Sequence, residues 1–416
     1  MVARYLENRI RTVASMPAFR TLDDLDVKHR RVLVRTDLNL PMQDGKVTDA
    51  TRLERAAATL IELAERGAKV IVLSHFGRPK GPDPKLSLLP LLEPLRGVVA
   101  GRNVRFAPDC IGPVAAAAVA ALAPGELLLL ENLRFHKGEE ENDPAFTRAL
   151  AALGDIYVND AFSTAHRAHA STAGLAALLP AAAGRLMQAE LEALGKALEH
   201  PARPVVAIVG GAKVSTKLEL LGNLVAKVDR LIIGGAMANT FIHAEGGEVG
   251  ASLCEKDLAD TARAIVARAA SQGCTIVLPV DGIAAAKLDG TLPRTTVPAD
   301  RVPPGLMMLD VGPATVARFC DQIADACTVV WNGPVGAFEV PPFDVGTTAL
   351  AQAVAAATRA GRIVSVAGGG DTVAALAQAG VVDQLSYVST AGGAFLEWLE
   401  GKTLPGVAAL EAAARQ

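Results

Sequence analysis

Short, wholly apolar segments alternate along this chain with longer amphipathic ones, and this alternation constrains the fold more than any other feature. The clearest case is Val205–Val209, which is apolar, rich in β-branched residues and followed by Gly210 and Gly211. A strand of this kind is typical of a parallel sheet that is covered on both faces. Because the same rhythm recurs in both halves of the 416 residues, we expect βαβ units and an α/β fold.

The rhythm assigns strands and helices in turn. In the first half, strands are predicted at 31–35, 70–73, 104–106, 127–130 and 156–158, and helices at 49–66, 86–96, 113–123 and 144–153. In the second half, strands are predicted at 205–209, 230–233, 275–278, 328–331 and 363–366, and helices at 218–225, 256–270, 315–324, 347–359 and from 372 onward.

Composition supports the α/β class and limits the choice of partners. Hydrophobic residues make up 50% of the chain but aromatic residues only 4%, so the apolar mass is mainly Ala, Val and Leu. With 41 basic and 44 acidic residues, the net charge of -3 gives no overall attraction to nucleic acid or to a membrane surface. No segment approaches the roughly 20 apolar residues that a membrane span needs. The length predicts two domains, with three as the alternative.

The cysteines and the N-terminus bear on location. The five cysteines are scattered and contain no C-x-x-C pair, so we interpret them as reduced, mostly structural thiols without zinc or redox chemistry. Residues 1–20 lack the apolar core of a signal peptide. We therefore expect a cytoplasmic protein. Residues 1–15 show no clear period and are expected to form a disordered extension before Met16.

Arginines stand at or just after the ends of four predicted strands in the first half: Arg35, Arg78, Arg134 and Arg167. In parallel sheets, ligand sites lie at the carboxyl ends of strands. One loop arginine is usually a solvated surface residue, but four at one edge favour an anion pocket, because guanidinium groups match the geometry of phosphate and carboxylate.

Other polar residues of the first half leave alternatives open. Arg52, near the start of a predicted helix, is weaker evidence by itself, and the alternative is an exposed helix residue paired with Asp49 or Glu54. The loops also carry the histidines His75, His166 and His169. No helical H-x-x-x-H pair or carboxylate-rich partner completes a metal site, so hydrogen-bonding roles are favoured.

Two lysines follow the glycines at 210–211. If residues 214–224 are helical, Lys213 and Lys217 lie on one face of its first turn. A helix N-terminus already carries partial positive charge, so two further cations make sense there only beside a polyanion such as a nucleotide phosphate chain. The segment does not match G-x-x-x-x-G-K-[ST].

Glycine-rich loops follow further strands of the second half. Gly234 and Gly235 permit the close approach of a flat ring, although a tight strand-to-helix turn explains them almost as well. The glycines at 368–370 join a strand to a helix N-terminus, where backbone N–H groups can face phosphate. Asp371 then either caps this helix or reaches a magnesium ion.

A helical pattern over 186–200, stopped by Pro201 and Pro204, separates the two halves. We expect it to join two Rossmann-like three-layer domains, over 16–190 and 205–403, with a hinge helix at 191–204. The alternative is one more packed helix in a single domain.

Taken together, these motifs resemble the phosphoglycerate kinase family over residues 19–410. The matching segments are RTDLNLP at 35–41, SHFGRP at 74–79, AHRAH at 165–169, GGAKVSTK at 210–217, NGPVGAFE at 332–339, GGGDT at 368–372 and LPGV at 404–407. The resemblance implies reversible transfer of a phosphoryl group from 1,3-bisphosphoglycerate to ADP, giving 3-phosphoglycerate and ATP.

The resemblance also implies the residues of each half-site. The phosphoglycerate site would consist of Asp37, Asn39, Arg52, His75, Arg78, Arg134, His166 and Arg167. The nucleotide site would consist of Lys213, Lys217, Gly235, Asn332, Glu339, Gly369, Gly370, Asp371 and Thr372, with Asp371 near Mg²⁺. Arg52, Lys213 and Lys217 would be the catalytic cations. The family's C-terminal tail, here 404–416, packs on the N-terminal domain, and the protein is expected to be a monomer.

Two other classes of protein are alternatives to a kinase, and each predicts a different sequence feature. A catalytically inactive metabolite-binding protein on the same fold should lack Arg52, Lys213 or Asp371, and all three are present. A Rossmann-type dehydrogenase predicts G-x-G-x-x-G after a strand with an acidic residue about 20 positions later, and neither half contains this pattern.

Overall fold

The first half of the chain forms a six-stranded, all-parallel sheet. The structure is a computed structural model that describes residues 19–43 and 46–416. The strands of the sheet lie side by side in the order β5-β6-β4-β1-β7-β8. They are β1 (Arg31–Arg35), β4 (Lys69–Leu73), β5 (Val104–Ala107), β6 (Leu127–Leu130), β7 (Ile156–Asn159) and β8 (Ala181–Ala183). A short antiparallel pair, β2 (Met42–Gln43) and β3 (Lys46–Val47), follows β1.

The crossovers of this sheet contain helices α1 (Thr51–Glu65), α2 (Leu92–Val98), α3 (Gly112–Ala120) and α4 (Pro144–Ala151). Val34 of β1, Val72 of β4 and Leu60 of α1 belong to one fully buried cluster. Full burial of such a side chain contributes about 1.5–3 kcal/mol. This core holds the carboxyl ends of β1, β4 and β6 in fixed positions, so the polar loops that follow them are well placed to form a site.

The second half forms another six-stranded parallel sheet, in the order β11-β10-β9-β15-β16-β17. Its strands are β9 (Val205–Val209), β10 (Arg230–Ile233), β11 (Thr275–Val277), β15 (Thr328–Asn332), β16 (Val364–Gly368) and β17 (Tyr387–Ser389). The predicted α/β class with two parallel sheets is confirmed.

Helices follow most of these strands. They are α5 (Arg185–Leu194), α6 (Leu218–Leu224), α7 (Met237–Ala244), α8 (Ala259–Ser271), α9 (Pro313–Ala324), α10 (Val345–Arg359), α11 (Gly370–Gln378), α12 (Gly393–Leu399) and α13 (Pro405–Ala414). α5 continues into a π-helical turn, Gly195–Glu199.

A three-stranded antiparallel sheet, missed by the sequence reading, lies between β11 and α9. It comprises β12 (Asp281–Ala285), β13 (Arg294–Pro298) and β14 (Met307–Val311), in the order β13-β12-β14. Its strands show only weak alternation, and Pro298 and Gly282 are residues that normally count against a strand.

The chain divides into two compact units. Unit 1 consists of the described residues up to Ala161, with Arg167–Leu186 and Pro405–Gln416, and unit 2 consists of Phe162–His166 and Met187–Leu404. The C-terminal helix α13 packs against β8 within unit 1. The predicted extension at 1–15 lies outside the described residues.

No helix in the described part of the chain is both long and apolar enough to cross a membrane.

Candidate active site

In unit 1, Asp37, Asn39 and Arg52 are held together beside the carboxyl end of β1. Arg52 lies in the first turn of α1, and its Nη1 is 3.2 Å from Asp37 Oδ2 and donates to the Asn39 carbonyl oxygen at 3.1 Å. Asn39 Oδ1 accepts a hydrogen bond from the Gly77 amide at 2.9 Å, which ties this loop to the one after β4. The carboxylate bound to Arg52 is therefore Asp37, whereas Asp49 binds Thr51.

Three arginines surround His75 in an arrangement that we call the arginine cluster: Arg35, Arg134 and Arg167. Arg35 is buried, and its guanidinium group bonds Ser171 Oγ at 2.9 Å and His75 Nδ1 at 3.0 Å. Arg134 is also buried, and its Nη1 donates to the Gly77 carbonyl at 2.7 Å. These contacts join the ends of β1, β4 and β6.

The arginine cluster is strongly electropositive, and this decides the protonation of its histidine. Burial, with the positive charges of Arg35 and Arg134 nearby, holds the pKa of His75 well below its usual range. His75 is therefore neutral at neutral pH, accepts from Arg35 at Nδ1 and carries its proton on Nε2. Burial also lowers the pKa of Arg134. The Glu140 carboxylate, 3.1 Å from Arg134 Nε, opposes this shift because it favours the charged guanidinium group.

Two buried nitrogens of Arg134, Nε and Nη2, make no hydrogen bond to the described residues, although Nε lies 3.1 Å from the Glu140 carboxylate. Nη2 of Arg134 has no hydrogen-bond acceptor within the described ranges, although the residue is only 5% exposed. An unsatisfied donor on a buried cation costs free energy. An anion at this position would supply the missing acceptor, so the cluster has the chemistry of a binding site for phosphate or carboxylate.

A buried carboxylate, Glu139, lies behind the arginine cluster and was not predicted. It is 1% exposed and accepts from the Ser171 amide at 3.0 Å and from the Ser171 hydroxyl at 2.5 Å. Burial raises the pKa of Glu139, while Arg35 opposes the rise. In the sequence it stands among three glutamates in a row, a pattern that usually marks a solvated surface.

The remaining predicted residues of this half-site differ in position. Arg78 is exposed and makes no hydrogen bond or ion pair with any residue that the structure describes. Arg167 is half-buried in unit 1, and its charge lowers the pKa of His75. His166 belongs to the short segment assigned to unit 2, where its ring lies near Gly393.

In unit 2, Lys217 lies at the carboxyl ends of β9 and β15. Its Nζ donates to the Gly210 carbonyl at 2.7 Å and to Asn332 Oδ1 at 2.6 Å. Asn332 is itself buried, and its Nδ2 donates to the Gly368 carbonyl at 2.8 Å. Burial lowers the pKa of Lys217 to about 8, although Asp371 favours its charged form.

The two lysines do not share a helix face as predicted. Residues Val214–Thr216 form a 3₁₀ turn, and Lys217 has a non-helical backbone before α6 begins. Lys217 consequently points back to the strand ends, whereas Lys213 is exposed and its ammonium makes no hydrogen bond or ion pair to the described residues. The β-branched Val214 and Thr216 weaken a helix start here, and so does Ser215, whose hydroxyl competes for backbone hydrogen bonds.

The glycine loop at 368–370 leads into α11 as expected. Gly369 precedes the helix with a φ of +99°, and a Cβ there would lie 2.6 Å from Asn332 Nδ2. Thr372 Oγ1 accepts from the Gly333 amide at 2.7 Å. Asp371 is exposed and makes no capping hydrogen bond, so of its two predicted roles the cap is wrong.

A cleft of about 380 Å³ adjoins these loops. We call it the glycine cleft, after Gly211, Gly235 and Gly336, and its lining also includes Glu339 and Asp371. Gly235 has a φ of +66°, and a Cβ there would lie 2.7 Å from the Gly211 carbonyl oxygen, so only glycine fits. Apolar side chains such as Leu253 and Met308 complete walls that suit a flat ring.

Asp310 is a further residue of the glycine cleft that the sequence did not reveal. It is 3% exposed and accepts from the Gly346 amide at 2.8 Å. Burial raises its pKa to about 7. Its strand, β14, is one that the sequence reading missed, so no positional signal pointed to it.

Comparison with known proteins relates this geometry to a family. Residues 22–402 match the family model described as "Phosphoglycerate kinase". The chain is 63% identical over 399 residues to a phosphoglycerate kinase of Methylorubrum extorquens and 64% identical over 396 residues to one of Rhodospirillum centenum, in each case over 95% of this chain and 100% of the relative. The phosphoglycerate kinase structure from Coxiella burnetii superposes with a TM-score of 0.89 at 46% identity, covering 95% of this chain and 99% of that one.

Proposed function

The chain belongs to the phosphoglycerate kinase family, and we propose which of its residues carry out the reaction. It is a phosphotransferase that exchanges a phosphoryl group between ATP and the carboxylate of 3-phosphoglycerate, with ADP and 1,3-bisphosphoglycerate as the other pair. The observation that carries this conclusion is the family match over nearly the whole chain at 63% identity. The two half-sites support it with chemistry suited to each substrate.

The phosphoglycerate binds, in this proposal, to the arginine cluster of unit 1. The unused Nη2 of buried Arg134 supports this assignment, because it lacks an acceptor that a phosphate oxygen would provide. Neutral His75 donates from Nε2, and Asp37 and Asn39 orient Arg52. Arg78, His166 and Arg167 complete the predicted set.

The nucleotide binds, in this proposal, to the glycine cleft of unit 2. Gly235 admits the base, Glu339 receives the ribose, and the amides of Gly369, Gly370 and Thr372 lie at a helix N-terminus that favours phosphate. Lys217 and Asn332 hold the strand ends beside them.

Mg²⁺ fits the residues of unit 2. Asp371 is an exposed carboxylate that accepts no hydrogen bond from the described residues, and carboxylate oxygen is a hard ligand of the kind Mg²⁺ prefers. When bound with the nucleotide, the ion neutralises charge on the phosphates.

Chemistry follows from the ionisation of the substrate. In the direction that consumes ATP, a carboxylate oxygen of 3-phosphoglycerate forms a bond to the γ-phosphorus as the bond to the β-phosphate oxygen breaks. Because that carboxylate is already ionised at neutral pH, no general base is required. Arg52 and Lys213 stabilise the charge of the phosphoryl group in transit, and Lys217 acts on the nucleotide phosphates.

Arg52 and Lys213 belong to different units, so we propose in-line transfer after domain closure about the segment at 191–204, which begins in α5 and its π-helical turn and ends in non-helical residues. We also propose domains at 16–190 with 404–416, and at 205–403. A monomer in the cytoplasm completes the proposal. The five cysteines, all free of disulfides, support a reducing compartment. Sedimentation of the purified protein tests the monomer.

The activity is tested by supplying ATP, Mg²⁺ and 3-phosphoglycerate and following acyl phosphate through a coupled reaction. We expect turnover that requires all three. Absence of turnover from well-folded protein would overturn the function and revive the inactive metabolite-binding alternative.

A further inference from the structure

Three side chains that could ligate a metal ion lie close together in unit 1, outside the arginine cluster. Asp109, Cys110 and His136 each present one ligand atom, and the three atoms lie within 4.8 Å of one another. Asp109 and Cys110 directly follow β5, and His136 follows the 3₁₀ turn Leu133–Phe135 after β6. Since β5 and β6 are neighbouring parallel strands, their carboxyl ends bring the three residues to one place.

Contacts already fix the orientation of these side chains. His136 Nε2 lies 2.7 Å from Asp109 Oδ1, and the same oxygen accepts from the Cys110 amide at 2.7 Å. The imidazole ring packs against Phe146, with ring centroids 5.4 Å apart. These contacts bring the three side chains together before any ion binds. The His136–Asp109 hydrogen bond then opens so that both atoms can ligate the ion.

The three ligands differ in how far they are exposed to solvent. Cys110 is 1% exposed, whereas the side chains of His136 and Asp109 are 33% and 43% exposed. Asp109 and His136 line an adjoining cleft of about 500 Å³. An ion arriving from the cleft would meet Asp109 and His136 first, and the sulfur of buried Cys110 lies within 4.8 Å of their ligand atoms. Ligand atoms of a tetrahedral zinc site are roughly 3.3–3.8 Å apart for bonds of the usual length, so modest rotation of the two exposed side chains would suffice.

Neighbouring carboxylates help to define the ligand set. Glu131 also lines the cleft, but its carboxylate oxygens already accept hydrogen bonds from the Ser87 hydroxyl and from the Leu88 and Asn132 amides. We therefore do not count it among the metal ligands. The three remaining ligands offer one nitrogen, one oxygen and one sulfur. With a thiolate and a carboxylate, a divalent ion makes the site neutral overall.

We propose that Asp109, Cys110 and His136 form a binding site for a thiophilic divalent transition metal of the Zn²⁺ class, with its fourth position open to water from the cleft. Thiolate and imidazole select such ions over Mg²⁺, which prefers oxygen ligands in octahedral geometry. Burial and the Asp109 carboxylate raise the pKa of the Cys110 thiol, so without metal the sulfur stays protonated, and binding releases that proton. The sequence reading found no zinc site because the ligands are separated in the chain and form no C-x-x-C or H-x-x-x-H pattern.

The test is titration of the full, reduced chain with Co²⁺ in excess Mg²⁺, which occupies oxygen-only sites. We expect one equivalent to bind with a near-ultraviolet thiolate-to-cobalt charge-transfer band, and Zn²⁺ to displace it. Cys110→Ser should abolish the band, and His136→Ala should weaken Co²⁺ binding by at least ~10-fold. Cys274→Ser, at a buried cysteine of unit 2, serves as the matched control and should leave the band intact.

Absence of the band in the unmodified chain would overturn the proposal without relying on any variant. Retention of the band in folded Cys110→Ser, or its loss in Cys274→Ser, would overturn it as well. If Cys110→Ser fails to fold, Asp109→Asn replaces it, because that side chain is partly exposed, and unchanged Co²⁺ affinity there would count against the site. The inference does not depend on the proposed function.

Discussion

The arginine cluster of unit 1 and the glycine cleft of unit 2 are both suited to anions, but they meet the charge differently. In the arginine cluster, the buried guanidinium groups of Arg35 and Arg134 are balanced from behind by Glu139, and His75 is kept neutral. In the glycine cleft, backbone amides and glycines line the space. The two lysines that follow Gly211 in the chain do not line the cleft; Lys213 is exposed, and the pKa of Lys217 is lowered by burial.

This difference implies a division of labour. Arginine stays charged at any ordinary pH, so unit 1 holds a fixed positive site that needs an anion to complete it. Lysine changes its charge more readily when buried, so the phosphate-binding strength of unit 2 should vary with pH.

Lys213→Ala should lower kcat by about 10²–10³-fold, because an exposed cation that contacts no described residue is available to the phosphoryl group in transit. The nucleotide Kd should change far less. Steady-state kinetics with direct nucleotide titration separates the two. Lys256→Ala, at another exposed lysine of unit 2, is the control and should behave as the unmodified chain. Equal losses in kcat and affinity would make Lys213 only a binding residue.

Nucleotide affinity should fall as pH rises through the pKa of Lys217, about 8. Below that pH the ammonium is already protonated when the phosphates arrive, and above it a proton must be taken up, so binding weakens by about tenfold at one pH unit above the pKa. Calorimetry in buffers of different ionisation enthalpy measures the proton uptake. Lys217→Arg should remove the dependence, and a flat profile in the unmodified chain would contradict it.

Arg134→Met should raise the free energy of unfolding by about 1 kcal/mol, because the relief of burying one of several neighbouring cations outweighs the lost hydrogen bond to the Gly77 carbonyl oxygen and the lost contact with half-exposed Glu140. Denaturant unfolding without ligands measures the change. Arg148→Met, on the exposed face of α4, is the control and should have little effect. If Arg134→Met instead lowers the free energy of unfolding, burial of the Arg134 cation does not destabilise the folded protein.

The fold could be predicted where local pattern and tertiary burial agree. Val205–Val209 and Leu127–Leu130 are wholly apolar and proved to be strands with the predicted bounds. β8 was missed because its three alanines favour a helix locally, and only its pairing with β7 makes it a strand.

The sequence identifies site residues that belong to a recognisable pattern. It does not identify residues that stand out only because the fold buries them. A family motif supplied Lys217, and the loops after predicted strands supplied Arg134 and Gly235; the surroundings of all three suit the proposed roles. Glu139 and Asp310 were missed because one carboxylate in a run of acids, or in an unassigned strand, gives no sign that it is buried. Asp371 was ambiguous, because a helix cap and a metal ligand require the same side chain at the same position.

If each unit binds its own substrate with its own chemistry, the affinities for the two substrates should respond separately to one variant in each unit. Arg134→Met should raise the Kd of 3-phosphoglycerate by about 10–100-fold, by loss of charge-assisted hydrogen bonds, and leave the nucleotide Kd within about twofold. Gly369→Ala, whose Cβ would meet Asn332, should do the reverse. If either variant weakens both ligands to the same extent, the division of the site between the two units is contradicted.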